Sequence, residues 1–70
     1  MSSEGKFLVY CLETYKAAKN MSGRQVMEMF KQYGVIDYIL SCYEALHTTG
    51  TNYIIEDIDL LVESRRINRI

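Results

Sequence analysis

Seventy residues, 49% of them hydrophobic and 24% charged, with neither proline nor tryptophan, make one small domain and leave no room for a second. Eight Lys and Arg against nine Asp and Glu give a net charge of −1, which excludes the broad positive field of a protein that coats nucleic acid. A chain this short buries only about 60% of the surface its unfolded form exposes, so part of its stability is expected from a partner.

Average usage would place about three or four prolines in such a chain, and their absence favours long uninterrupted helices. The longest apolar run, residues 7–12, is stopped by Glu13. It is too short for a membrane span of about 20 residues or for the roughly 7–15-residue core of an export signal, and a cytoplasmic location is expected. Cys11 and Cys42 lie within apolar stretches, not in the dense spacing of a disulfide-stapled miniprotein, and read as reduced core thiols.

At the N-terminus Ser2 and Ser3 are available to cap a first helix over residues 4–19. At about 100° per residue, Phe7, Leu8, Cys11, Leu12, Tyr15 and Ala18 share one arc and Lys6, Glu13 and Lys16 stand opposite. Val9 and Tyr10 fall outside that arc. Ser22 and Gln25 are spaced as a capping box, with Met21 and Val26 as its hydrophobic staple, and start a second helix over residues 23–33. Gly34 is placed to take the left-handed conformation that ends it. Val26, Met29, Phe30 and Tyr33 form the inner face of this helix, with Glu28, Lys31 and Gln32 outside.

A third periodic segment sets Ile36, Ile39, Leu40, Tyr43, Leu46 and His47 on one side and Asp37, Ser41 and Glu44 on the other. It ends at His47, before the loop of Thr48, Thr49 and Gly50. The last segment, residues 53–62, alternates at Ile58, Leu60 and Val62 in a way that also suits a strand. A helix is favoured, because Glu56, Asp57 and Asp59 then sit at its positive end and Arg65, Arg66 and Arg69 at its negative end. Residues 53–55 are left open between extended and helical. In the helical reading Ile54, Ile58, Leu61 and Val62 face inward, while Leu60 and Ile67, seven residues apart, make a second stripe. The expected fold class is all-α, a compact bundle of four short helices in one domain spanning residues 1–70.

Catalysis needs a nucleophile with a base, paired carboxylates in a cleft, or a metal. His47, the lone histidine, lies near a helix end on the apolar face and reads as a dipole-stabilised residue. Cys42 stands five residues before it, a spacing that does not bring two ligands together on one helical face. Glu56, Asp57 and Asp59 lack a calcium-loop pattern, since Leu61 and Val62 occupy the places of an oxygen ligand and a glycine. No catalytic, cofactor-binding or metal-binding residue and no small-molecule substrate is expected, and the protein is not expected to be an enzyme.

What remains is apolar surface. Val9, Tyr10, Tyr38, Leu60 and Ile67 project off the inner faces and fit a module that binds another protein or a second copy of itself. The alternative is a small nucleic-acid-binding regulator using Arg65, Arg66 and Arg69. A helix-turn-helix built from the second and third helices is disfavoured, because Asp37 and Glu44 would face the phosphates.

Several strings carry a family resemblance: Phe7-Leu8-Val9-Tyr10-Cys11-Leu12-Glu13, Met21-Ser22-Gly23 with Phe30, and Tyr33-Gly34-Val35-Ile36-Asp37-Tyr38-Ile39. Two more follow, Tyr43-Glu44-Ala45-Leu46-His47-Thr48-Thr49-Gly50 and Tyr53-Ile54-Ile55-Glu56-Asp57-Ile58-Asp59. With them the chain resembles, up to about Glu63, a family of short bacterial proteins of the Firmicutes type known only as a domain of unknown function. The resemblance implies a companion of another small protein, with some members encoded beside ADP-ribosyltransferase-like proteins, and hence an accessory or antitoxin-like role. It brings no catalytic residues with it.

Overall fold

The computed structural model describes residues 2–67. In chain order these form α1 (Ser3–Lys19), α2 (Gly23–Gln32), α3 (Val35–Ser41), α4 (Tyr43–Leu46) and α5 (Thr51–Ile67). The architecture is all-α, with four helices of seven residues or more and a single turn, α4, cut from the expected third helix.

Local chemistry sets the boundaries. The Ser2 hydroxyl accepts from the Gly5 amide at 3.0 Å, and Asn20, left-handed at φ 54°, ends α1. The capping box opens α2 as its spacing predicts: the Gln25 amide donates to the Ser22 hydroxyl at 3.1 Å, and the Ser22 amide donates to the Gln25 side chain at 3.0 Å. Beyond α2, Gly34 adopts φ +67°. A Cβ there would stand 2.7 Å from Arg65 Nη1, whose guanidinium donates to the Tyr33 carbonyl. Glycine therefore suits the left-handed turn and leaves room for the Arg65 guanidinium beside it.

Cys11, Tyr15, Val26, Phe30, Val35, Ile39, Ile54 and Ile58 form one buried cluster drawn from α1, α2, α3 and α5. The Tyr15 and Phe30 rings meet at 5.6 Å between centroids. Burial pushes the Cys11 thiol up to about 11, so it packs as a protonated small hydrophobe. Cross-links along α5 fix its direction. Thr51 meets Tyr10 while Asp59 meets Tyr15 and Lys19, so α5 runs in the sense of α1. Asp57 meets Tyr38 and Arg65 meets Tyr33, so it runs against the chain that leads from α2 into α3.

The periodicity places some residues differently from the structure. The third segment breaks at Cys42, which leaves the helical region at φ −104°, ψ 19°, and the Ala45 amide turns back three residues to the Cys42 carbonyl at 3.1 Å. The break lets the Tyr43 ring meet Phe7 edge-on at 5.5 Å and buries Leu46. Freed from the residues that follow, the inner face of α3 centres on Val35 and Ile39, and Leu40 is exposed. Val35, outside the predicted face, is fully buried, whereas Ala18 in the last turns of α1 is exposed. Residues 53–55 are helical, since α5 begins at Thr51 and the Ile54 amide donates to the Gly50 carbonyl at 3.1 Å.

Candidate functional site

Helix α5 organises the surface. At about 100° per residue, Ile54, Ile58, Leu61 and Val62 form a face turned into the molecule. Asp59 borders that face on the α1 side: Tyr15 donates to its Oδ1 at 2.6 Å and Lys19 Nζ meets its Oδ2 at 2.6 Å. Lys19 also stands 5.7 Å over the Tyr15 ring. Asp57 borders the other side and accepts the Tyr38 hydroxyl from α3. Burial, and then the Asp59 bond, hold the Tyr15 hydroxyl above the usual tyrosine range. For Tyr38 the Asp57 bond comes first and burial second, pushing it up to about 12.

The acidic string is therefore not the helix-dipole complement its sequence position suggests. With α5 starting at Thr51, its first turn holds no acidic residue, and Asp57 and Asp59 instead receive tyrosine hydroxyls from two other helices. Tyr38 is corrected in the same way. Expected to project outward, it is partly buried against the core and anchored to Asp57.

Opposite the inward face, Tyr53, Leu60 and Ile67 recur every seven residues and stand 56%, 70% and 67% exposed. They form one row along the outer side of α5. The expected stripe of Leu60 and Ile67 thus extends to Tyr53, which precedes Leu60 by the same interval that links Leu60 to Ile67. Val9 is exposed on α1, one turn before the Glu13 that pairs with Lys16. Tyr10 is half exposed, but its hydroxyl bonds to Thr51 and its ring stacks on Phe7 at 6.1 Å. Of the five predicted interface residues, Leu60 and Ile67 thus lie in one row of α5, Val9 and Tyr10 are exposed on α1, and Tyr38 is partly buried on α3.

Two of the three predicted arginines are engaged within the chain. Arg65 donates to the Tyr33 carbonyl and Arg66 pairs with Glu63; Arg69 lies outside the described residues. His47 is exposed, not on an inner face, with Nδ1 2.8 Å from the Tyr43 carbonyl and its ring stacked on Tyr43 at 4.4 Å. A shallow recess of about 230 Å³ is lined by Phe30, Lys31, Gly34, Ile36 and Asp37. It falls below the roughly 300–1,000 Å³ usual for small-molecule sites. No helix of the described residues is long and apolar enough to cross a membrane.

A family model described as "Protein of unknown function (DUF3791)" matches residues 6–65. The chain belongs to this family. The matched span takes in the whole buried cluster, both aspartate anchors, and Tyr53 and Leu60 of the outer row. No curated protein and no solved structure matches the chain.

Proposed function

We propose that the protein is a non-enzymatic interaction module whose α5 outer row docks on another protein, in an accessory or antitoxin-like role beside a neighbouring bacterial gene product. One observation carries this reading. Tyr53, Leu60 and Ile67 align on the side of α5 that the core does not use. Singly exposed apolar residues are ordinary on a soluble surface. A row at helical spacing along a helix already fixed by its opposite face is the pattern of helix recognition by a groove or a second helix. The nucleic-acid reading has weaker support, because Arg65 and Arg66 already have partners in the chain and the row lies on an acidic stretch.

The test is co-expression with each protein encoded beside its gene, followed by size-exclusion chromatography with light scattering. A stable complex that Leu60→Asp disrupts is expected. A protein that stays monomeric and captures none of its neighbours removes the reading. A gel-shift series tests the alternative, since phosphate contacts weaken as salt rises.

A further inference from the structure

The outer row of α5 is apolar along one line and acidic beside it. Glu56 and Glu63 each follow a row residue by three positions and so lie on one flank, and both are exposed. Between Thr51 and Ser64 the helix carries Glu56, Asp57, Asp59 and Glu63 and no Lys or Arg. Asp59 is balanced by Lys19 and Glu63 by Arg66, while Asp57 accepts only the neutral Tyr38 hydroxyl and Glu56 has no ion pair among the described residues, so the net charge beside Tyr53 and Leu60 is negative and is carried by Glu56 and Asp57.

This arrangement disfavours a second copy as the occupant. In an antiparallel α5–α5 pair centred on Leu60, the Glu63 of one copy is set beside the Glu56 of the other. In a parallel pair the acidic flank of one copy meets Asp57 of the other. Both alignments gather carboxylates of the two copies around a narrow apolar line, and of these only Glu63 brings a compensating Arg66 with it, which costs affinity.

We infer that the outer face of α5 receives a cationic amphipathic helix, one whose apolar residues cover Tyr53 and Leu60 and whose Lys or Arg side chains lie against Glu56 and, in exchange for the exposed Arg66, against Glu63. The inference rests on the interaction reading above and adds the chemistry of the partner. Apolar contact supplies the seat, while the acidic flank selects register and excludes acidic helices.

The test uses the full chain and two fluorescent synthetic helices with the same leucine row, one flanked by lysines and one by glutamates, titrated by anisotropy at low and high salt. The lysine-flanked helix is expected to bind at least tenfold more tightly than the other and to weaken several-fold as salt rises. Leu60→Glu separates docking from plain attraction. It adds negative charge, so it strengthens a merely electrostatic association and weakens a seated one. Glu56→Lys with Glu63→Lys is expected to reverse the preference between the two helices, with circular dichroism checking that each variant stays folded.

Equal binding of the two helices through Leu60 overturns the cationic partner and leaves the interaction surface standing. Binding of neither helix, or binding of the lysine-flanked helix that Leu60→Glu strengthens, overturns the inference. A dimer of the protein alone that Leu60→Glu disperses overturns it in favour of a second copy.

Discussion

The two sides of α5 are built from similar residues and do opposite work. Ile58 is buried in the cluster that α1, α2, α3 and α5 share, whereas Leu60, two positions on, is 70% exposed. What separates them is the pair of aspartates that border the inward face. Asp59 is held by Tyr15 and Lys19 of α1 and Asp57 by Tyr38 of α3, so the helix cannot roll about its axis without breaking one bond or the other. Hydrophobicity alone does not decide which isoleucine or leucine becomes core. The polar bonds at its margins fix the rotation and leave Tyr53, Leu60 and Ile67 in solvent.

The inward face should be by far the more sensitive. Ile58→Ala removes a fully buried side chain and is expected to destabilise by about 2–5 kcal/mol, which in a domain this small is most of the total stability. Urea denaturation followed by circular dichroism measures it. A loss under about 1 kcal/mol would mean that the face is not sealed as the structure shows.

The aspartate margins come next. Tyr15→Phe leaves Asp59 without its hydroxyl donor and is expected to cost about 1.5–3 kcal/mol, as for hydrogen bonds to charged groups. Tyr38→Phe, at a more open site, should cost less. The same bonds predict an alkaline limit. Both hydroxyls are harder to ionise in the folded chain than in the unfolded one, where tyrosine titrates near about 10, so their contribution is complete below that pH. It is lost as pH rises from about 10 through about 12 for Tyr38, and higher for Tyr15. Urea midpoints should fall across that window, and less steeply in the Tyr15→Phe/Tyr38→Phe double variant. Equal slopes in the two proteins would show that the margins do not carry the effect.

Gly34→Ala probes the end of the inward face. A left-handed backbone costs a residue with a side chain about 1–2 kcal/mol, and the new Cβ displaces the Arg65 guanidinium from the Tyr33 carbonyl. Thermal melts should show the loss. Arg65→Ala relieves the contact but not the backbone strain, so it should not restore the stability of Gly34→Ala; full restoration would place the cost in the contact alone.

Much of this fold is legible in the sequence because short-range chemistry writes it. The Ser22–Gln25 box and Gly34 bracket α2 within a few residues of chain, and the seven-residue interval between Leu60 and Ile67 already marks the outer row. The break at Cys42 is set at long range, by the seat that Phe7 offers Tyr43, and neither proline nor glycine announces it. Reading residues 36–47 as one helix pulls the inner face toward Tyr43 and Leu46, which is why Leu40 looks buried and Val35 does not. The roles of Asp57 and Asp59 are hidden for the same reason. Their tyrosines lie 19 and 44 residues away in sequence, a distance over which local patterning carries no information.

Leu60→Ser is the smallest change in stability and the sharpest test of the comparison. The side chain is already mostly in water, so its removal is expected to shift folding by no more than about 0.5 kcal/mol. Serine slightly lowers helix propensity in the middle of α5, which works in the destabilising direction and sets the scale of what should be seen. If folding is untouched while the complex with a neighbouring gene product is lost, the outer row serves binding alone. If Leu60→Ser instead costs as much as a core truncation, Leu60 is covered by the protein's own chain in solution. The two faces of α5 would then be one core, with nothing left over for a partner.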